Sequence, residues 1–224
     1  MIRLIVVVEG QTEEAFIKDV LAPHLAAYSV YVSVTIVGKM TAHRRGHQGR
    51  GGGHFKHWRK DIERILGGDS GEDLRVTTLF DLYGLPEDFP GMSEHGLDPD
   101  TNRRCDMLQT ALADTFPDRR LLPYLQRHEF EALVLASLTS LRLLLDAKDD
   151  IAGLDGLETN IAGKCPEDIN DGLETSPSKR ILTYIPSYNK TLHGPLAATG
   201  AGLSELRRLC PRFHAWMSCL ESLR

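Results

Sequence analysis

The sequence predicts an α/β fold in which a mostly parallel sheet is flanked by helices and followed by a helical C-terminal appendage. Over the first 145 residues, apolar β-branched runs alternate with segments of helical periodicity, which is typical of successive βαβ units. The first run is continuously apolar, as expected of a strand that is buried on both faces of a parallel sheet.

Each element follows from a local pattern. Residues 2–9 form a β-branched run that Gly10 ends, so we expect the first strand there. From Thr12 onward, apolar residues recur at helical spacing, with Thr12 as the expected N-cap and two glutamates in the first turn. By the same criteria, the later strands are expected at 31–37, 75–82 and 121–125. The later helices are expected at 55–66, 103–116, 129–145, 178–184, 203–209 and 213–223.

Composition indicates an ordinary globular protein. With 224 residues, 42% of them hydrophobic, the chain can bury a large core. We expect a core at 1–145, and an acidic insertion with a helical part packing on that core at 146–224. No apolar run is long enough for a membrane span or a secretory signal, and the four cysteines form no CxxC pair. These features predict a cytoplasmic protein with reduced thiols and no membrane partner.

A basic segment contrasts with the net charge of −5. No acidic residue occurs from 39 to 60, and the glycines in this segment predict a loop. Phosphate contacts are expected from Arg44, Arg45, Arg50, Lys56, Arg59 and Lys60. Phe55 and Trp58 are candidates for stacking on a base. The alternatives are metal capture by His43, His47, His54 and His57, or a solvated loop without a ligand.

Three carboxylates are the strongest chemical signal. Glu9 ends the first strand, Glu13 lies in the first helical turn, and Asp81 ends the third strand. Parallel strands bring all three to one sheet edge, where open α/β sheets bind ligands. Such oxygen ligands suit Mg²⁺ or Mn²⁺. The alternative is that Glu13 complements the helix dipole and that Asp81 caps a turn.

These residues carry a resemblance to a known family. Glu-Gly-x-Thr-Glu after the first strand, with an aspartate ending a later strand, resembles the TOPRIM domain of topoisomerases, primases and overcoming-lysogenization-defect (OLD) nucleases. Four segments resemble more closely the TOPRIM-related bacterial domain-of-unknown-function family 4276. They are VEGQTEEAF (8–16), TTLFDLYGLP with FPG (77–86, 89–91), PYLQRHEFEAL (123–133), and SPSKR with YNK (176–180, 188–190).

The resemblance implies a TOPRIM-like (Rossmann-like) fold and metal-assisted phosphodiester chemistry. It implies that Glu9 is a metal ligand or general acid/base, that Glu13 is the second glutamate of the OLD-type branch, and that Asp81 is the first aspartate of Asp-x-Asp. Tyr83 stands where the second aspartate belongs, which weakens a two-metal site.

Further catalytic candidates lie later in the chain. We expect Glu129 rather than Glu131 to reach the same edge, with His128 as a proton carrier; the alternative is an acidic helix start. A late lysine is implied by the resemblance to OLD-type nucleases, where a cation stabilises phosphate charge. Lys179 is favoured for it over Lys190, and solvated surface lysines are the alternative.

The resulting prediction is a metal-dependent phosphodiesterase, in particular a nuclease acting on DNA or RNA. The resemblance adds an ATPase partner and a setting in phage defence or DNA repair. The alternative is a catalytically weak TOPRIM-like module that binds nucleic acid or a partner. A small-molecule phosphatase is a third possibility, although the chain lacks a GxxxxGK[ST] loop.

Overall fold

The structure is a computed structural model that describes residues 1–38, 53–170, 172 and 175–224. Its described strands are β1 (Ile2–Val8), β2 (Val30–Ile36), β3 (Leu74–Asp81), β4 (Leu121–Leu122) and β5 (Leu125–Gln126). They pair in parallel in the order β2-β1-β3-β4, with β5 also beside β3. The predicted mostly parallel sheet is confirmed.

Helices flank this sheet and form the C-terminal part of the chain, as predicted. The described α-helices are α1 (Gln11–Phe16), α2 (Ala22–Ala26), α3 (Phe55–Gly68), α4 (Met92–His95), α5 (Thr101–Thr115), α6 (Glu131–Leu135), α7 (Leu138–Arg142), α8 (Lys148–Ile161), α9 (Pro177–Tyr184), α10 (Lys190–Leu209) and α11 (Pro211–Glu221). None of them is long and apolar enough to cross a membrane.

The two faces of the sheet are covered by different helices. Along β1, Leu4, Val6 and Val8 pack with α1, α2 and the helices after β5, whereas Val7 packs with α3 and α5. This alternation follows from the two-residue period of a strand. Both faces are apolar, which explains the continuous hydrophobic run of β1.

The first helix starts earlier than the sequence predicts. Gly10 is the N-cap, in an extended conformation with φ −156° and ψ −174°, so the prediction that Thr12 caps the helix is wrong. Thr12 lies inside α1 and is buried together with Glu13. The helix then passes through a π-helical stretch at Ile17–Leu21 before α2.

The expected strand at 121–125 is interrupted. β4 and β5 each span two residues, because Pro123 cannot donate a ladder hydrogen bond. Thr78 replaces the missing pairing: its hydroxyl donates to the Tyr124 carbonyl at 2.7 Å and accepts from the Tyr124 N–H at 2.9 Å.

The acidic region after residue 145 is more ordered than expected. α8 is a 14-residue helix whose Leu154, Leu157 and Ile161 are buried in the same core as β1. The acidic composition of this segment suggests a solvated insertion with only short helical pieces, but a long helix forms because its three apolar side chains recur at helical spacing. The segment expected at 203–209 is the end of α10, which bends at Gly202, where φ is 76°.

Candidate functional site

The carboxyl ends of β1 and β3 bring Glu9 and Asp81 together. The two strands are adjacent and parallel, with Val8 opposite Leu79, so the residues that follow emerge at the same edge. The Asp81 backbone N–H donates a 2.7 Å hydrogen bond to Glu9 Oε1. The predicted proximity of these two residues is therefore present in the structure.

Glu13 approaches from the start of α1. Its side chain is buried, at 5% exposed, and a Cβ on Gly10 would lie 3.2 Å from Glu13 Oε2. A Cβ on Gly84 would lie only 2.5 Å from Glu9 Oε2. The two glycines thus let the backbone run close to both carboxylates, which is a local reason for glycine at these positions.

Glu131 and Lys190 complete the charged site. Glu131 is fully buried at the start of α6, and its Oε2 lies 2.8 Å from Nζ of Lys190, the first residue of α10. We refer to Glu9, Glu13, Asp81 and Glu131 as the carboxylate cluster. Lys190 is the cation that this cluster shares, because its charge lowers the pKa of every one of the four carboxyls.

The carboxylates nevertheless resist ionisation. Burial, together with the charge of Glu13, raises the pKa of Glu9 to about 8. Burial also raises the pKa of Glu13, and it raises the pKa of Asp81 well above its ordinary value, with Glu13 and Glu9 adding to the effect. With one cation among the described residues for four acids, the metal-free site keeps its negative charge low by retaining protons, which a bound cation would displace.

The donor set fits a hard divalent cation such as Mg²⁺ or Mn²⁺. All candidate ligands are carboxylate oxygens, and Asp81 Oδ1 is buried without a hydrogen-bond partner. Among the described residues, no three His, Cys, Asp or Glu side chains are already grouped as a metal site. Binding of an ion by Glu9, Glu13 and Asp81 therefore requires these side chains to move closer to one another.

Glu129 and Glu131 have different surroundings in the structure. Glu129 Oε2 accepts the Ser178 N–H at 2.9 Å, at the start of α9. The buried carboxylate next to Asp81 is Glu131, so the preference for Glu129 over Glu131 is not what the geometry favours. No local pattern distinguishes the two glutamates, because both precede the same apolar run.

The lysine in the cluster is Lys190, the less favoured of the two candidates. Lys179 is exposed on α9, while Lys190 is mostly buried and its pKa is raised by Glu131 and Asp81 despite the opposing effect of burial. Asn189, which caps α10 through the Thr191 and Leu192 N–H groups, fixes the backbone at Lys190. The sequence signal that could have favoured Lys190 is its position directly after Asn189, a residue type that often caps the start of a helix.

His128 has surroundings that disfavour the charged form of its ring. It is buried, and burial together with Arg127 and Arg104 lowers its pKa to about 4. The lowered pKa favours the neutral ring near pH 7, and the role of His128 as a proton carrier stays a prediction. Tyr83, at the position of the missing aspartate, lies with its hydroxyl 3.1 Å from His128 Nδ1.

The basic candidates are only partly described. Arg44, Arg45 and Arg50 lie outside the described residues, as do His43 and His47. Lys56, Arg59 and Lys60 are exposed along α3. The expectation that Phe55 and Trp58 stack on a base is wrong, because both side chains are buried. The ring centres of Trp58 and Phe80 are 4.6 Å apart.

The fold and site define an α/β protein with a buried acidic cluster at the carboxyl edge of a parallel sheet. The family described as domain of unknown function (DUF4276) matches residues 8–221. The chain belongs to this family.

Solved structures show further similarity. One is the C-terminal region of the Burkholderia pseudomallei OLD protein, at 16% identity and a TM-score of 0.47, covering 99% of this chain and 100% of that one. Another is the C-terminal region of the Xanthomonas campestris pv. campestris OLD protein, at 16% identity and a TM-score of 0.39, covering 98% and 97%. The search of curated proteins found no significant match.

Proposed function

We propose that this protein is a TOPRIM-like, divalent-metal-dependent phosphodiesterase, and specifically a nuclease that cleaves DNA or RNA. The observation that carries the proposal is that Glu9 and Asp81 lie at the carboxyl ends of adjacent parallel strands, joined by the hydrogen bond from the Asp81 N–H, with the buried Glu13 near enough to raise the pKa of both. The motif resemblance to TOPRIM domains supports the same chemistry.

In this proposal Glu9, Glu13 and Asp81 hold Mg²⁺ or Mn²⁺. The ion would supply Lewis-acid stabilisation of the phosphoryl oxygens. Lys190 supplies a fixed positive charge beside the carboxylates, suited to stabilising charge that develops on a phosphate. Glu131 positions Lys190 by the 2.8 Å ion pair.

Further partners belong to the same proposal. Lys56, Arg59 and Lys60, exposed on α3, would contact nucleic-acid phosphates without reading bases. An ATPase partner and a setting in phage defence or DNA repair are proposed on the motif resemblance alone.

The test is cleavage of labelled single-stranded and double-stranded DNA and RNA in Mg²⁺, Mn²⁺ or EDTA. We expect metal-dependent cleavage that falls by about 100-fold or more in Asp81→Asn, because a proposed ligand of the ion that would stabilise charge on the phosphate is lost. The matched control is Asp19→Asn, a change at an exposed residue, which should cleave like the wild type. Cleavage that persists in EDTA or in Asp81→Asn would contradict the proposal.

The second candidate is a catalytically weak binding module. It is favoured by the absence, among the described residues, of a ready group of three metal ligands. In that case the labelled substrates would remain intact in every metal, and anisotropy would report a complex that weakens steeply with added salt.

A further inference from the structure

A cationic cluster lies at the same sheet edge as the carboxylate cluster. Arg104 lies in the first turns of α5, which starts at the edge where β3 ends, and Arg127 directly follows β5. Between them lie Tyr83 and His128, whose rings are 5.3 Å apart. We call Tyr83, Arg104, Arg127 and His128 the cationic cluster.

Tyr83 is held firmly in this cluster. Its hydroxyl lies 3.1 Å from His128 Nδ1 and accepts a hydrogen bond from Asn170 Nδ2. Its backbone N–H donates to the His128 carbonyl at 3.0 Å. His128 in turn has a φ of 65°, a conformation that costs a non-glycine residue free energy and that clusters at functional sites. The Tyr83 ring is therefore a fixed platform two residues after Asp81.

The Arg104 guanidinium packs over the Tyr83 ring and forms no ion pair with a described acidic residue. Its Cζ lies 5.9 Å from the centre of the Tyr83 ring, and its Nη1 donates to the Gly96 carbonyl at 2.7 Å. Its Nε is buried and has no hydrogen-bond partner, and among the described residues no ion pair includes Arg104, although its charge acts to lower the pKa of Tyr83 and of Asp98. A partly buried guanidinium in this state has unused donors, which is costly unless a ligand completes them.

The neighbouring arginines show that this is particular to Arg104. Arg103, next to it on α5, forms an ion pair with Asp98 at 2.7 Å, and Arg127 forms one with Asp168. Arg104 and Arg127 both lower the pKa of His128. These two arginines place positive charge beside His128, opposed there by Glu129, only a few residues from the acidic site.

We propose that Arg104, packed on Tyr83 with Arg127 beside it, binds a phosphate group of the substrate. A planar guanidinium presents paired N–H donors that match two phosphate oxygens. The proposal rests on the proposed function for the identity of the substrate as a nucleic acid. A strand entering an acidic site needs such a contact, because the carboxylates alone would repel its phosphates.

Phosphate binding is tested without metal. Inorganic phosphate is titrated in EDTA into the wild-type chain, Arg104→Gln and Arg103→Gln, and NMR follows the arginine Nε–H signals. We expect the Arg104 signal to shift, and the phosphate Kd to rise about 10-fold or more in Arg104→Gln and less than about 2-fold in Arg103→Gln. Arg104→Lys keeps the positive charge but loses the paired N–H donors of the guanidinium. Its phosphate Kd should therefore lie between those of the wild type and Arg104→Gln, in a variant that melting curves show to be folded.

The outcomes separate this proposal from the nuclease proposal. Phosphate binding that depends on Arg104, in a protein that cleaves nothing, supports the phosphate site and refutes the nuclease. Cleavage that depends on Asp81 but is unchanged in KM and kcat by Arg104→Gln, with no phosphate binding by the wild type, refutes the phosphate site and leaves the nuclease standing. Equal phosphate affinity in Arg103→Gln and Arg104→Gln also refutes it.

Discussion

At the scale of single residues, the ion pair of Glu131 and Lys190 has the largest predicted effect on stability. Glu131 is fully buried and Lys190 is two-thirds buried. Glu131→Gln breaks the 2.8 Å ion pair but leaves Lys190 beside the other three acids of the cluster, so it should lower the free energy of unfolding by about 1.5 kcal/mol. Urea unfolding at pH 7 measures the change.

A matched change on the surface provides the control for that prediction. Glu14→Gln removes the exposed pair with Lys18 and should cost less than about 0.5 kcal/mol. Equal destabilisation by Glu131→Gln and Glu14→Gln would show that the buried pair is not coupled as described.

Gly84 is a second residue with a specific prediction. A Cβ at this position would come within 2.5 Å of Glu9 Oε2, so Gly84→Ala should displace the Glu9 carboxylate. We expect Mn²⁺ affinity to fall about 10-fold, as for changes that disturb the orientation of a ligand, with a change in stability below about 1 kcal/mol. Gly67→Ala, where a Cβ meets no atom within 4 Å, is the control and should bind like the wild type.

At the scale of elements, the start of α9 depends on Glu129. Its Oε2 accepts the Ser178 N–H, one of the N–H groups that a helix start leaves unpaired. Glu129→Ala should therefore cost about 1 kcal/mol, as for loss of a cap, whereas Glu129→Gln keeps an acceptor and should cost less. Urea unfolding of both variants measures this.

The same pair of variants examines Glu129 as a catalytic residue, which remains a prediction. Glu129→Gln removes the charge and keeps the hydrogen bond. Near-normal cleavage by Glu129→Gln would assign the residue to holding α9, and a loss as large as that of Asp81→Asn would assign it to the reaction.

At the scale of the whole molecule, the buried acids predict how stability depends on pH. Glu9 has a folded pKa of about 8 against an ordinary value of 4.5. Between these values the folded chain keeps a proton that the unfolded chain has released, so stability falls as the pH rises through this interval. Arg3 lowers the pKa of Asp73 to about 2, and Arg120 lowers the pKa of Asp118 to about 2. These two carboxylates affect the free energy of unfolding only at pH values below this interval.

We expect the free energy of unfolding of the metal-free protein to fall by about 2 kcal/mol or more from pH 5 to pH 8. Glu9→Gln should flatten this dependence, because its neutral side chain has no proton to lose. Urea unfolding across that range is the measurement. A wild-type profile that is level or rising would contradict the raised carboxyl pKa values.

Patterns that repeat along the chain made the fold predictable. The apolar run of β1 and the helical spacing of α3, α5 and α9 indicated the elements within a few residues, and parallel pairing then brought Glu9 and Asp81 to one edge. Single contacts between distant segments were not predictable. The pairing of Glu131 with Lys190, and the burial of Trp58, depend on how helices pack, which no local pattern encodes.

The site was predictable to the same extent. Glu9, Glu13 and Asp81 each follow a recognisable strand or turn, whereas the choice of Glu131 over Glu129 depends on where α6 begins, since Glu131 is its first residue and Glu129 precedes it. Thr12 was misassigned because glycine at position 10 caps the helix through its backbone geometry alone. A side-chain pattern does not report that kind of cap.

Direct binding of Mn²⁺, followed by electron paramagnetic resonance, tests the central claim that the carboxylate cluster binds a divalent cation. The wild-type chain should bind Mn²⁺ more tightly at pH 8 than at pH 6, because the acids must lose their protons. Asp81→Asn should weaken binding about 100-fold, while Asp19→Asn should not change it. Absence of Mn²⁺ binding by the wild type, or equal binding by the two variants, would contradict the claim.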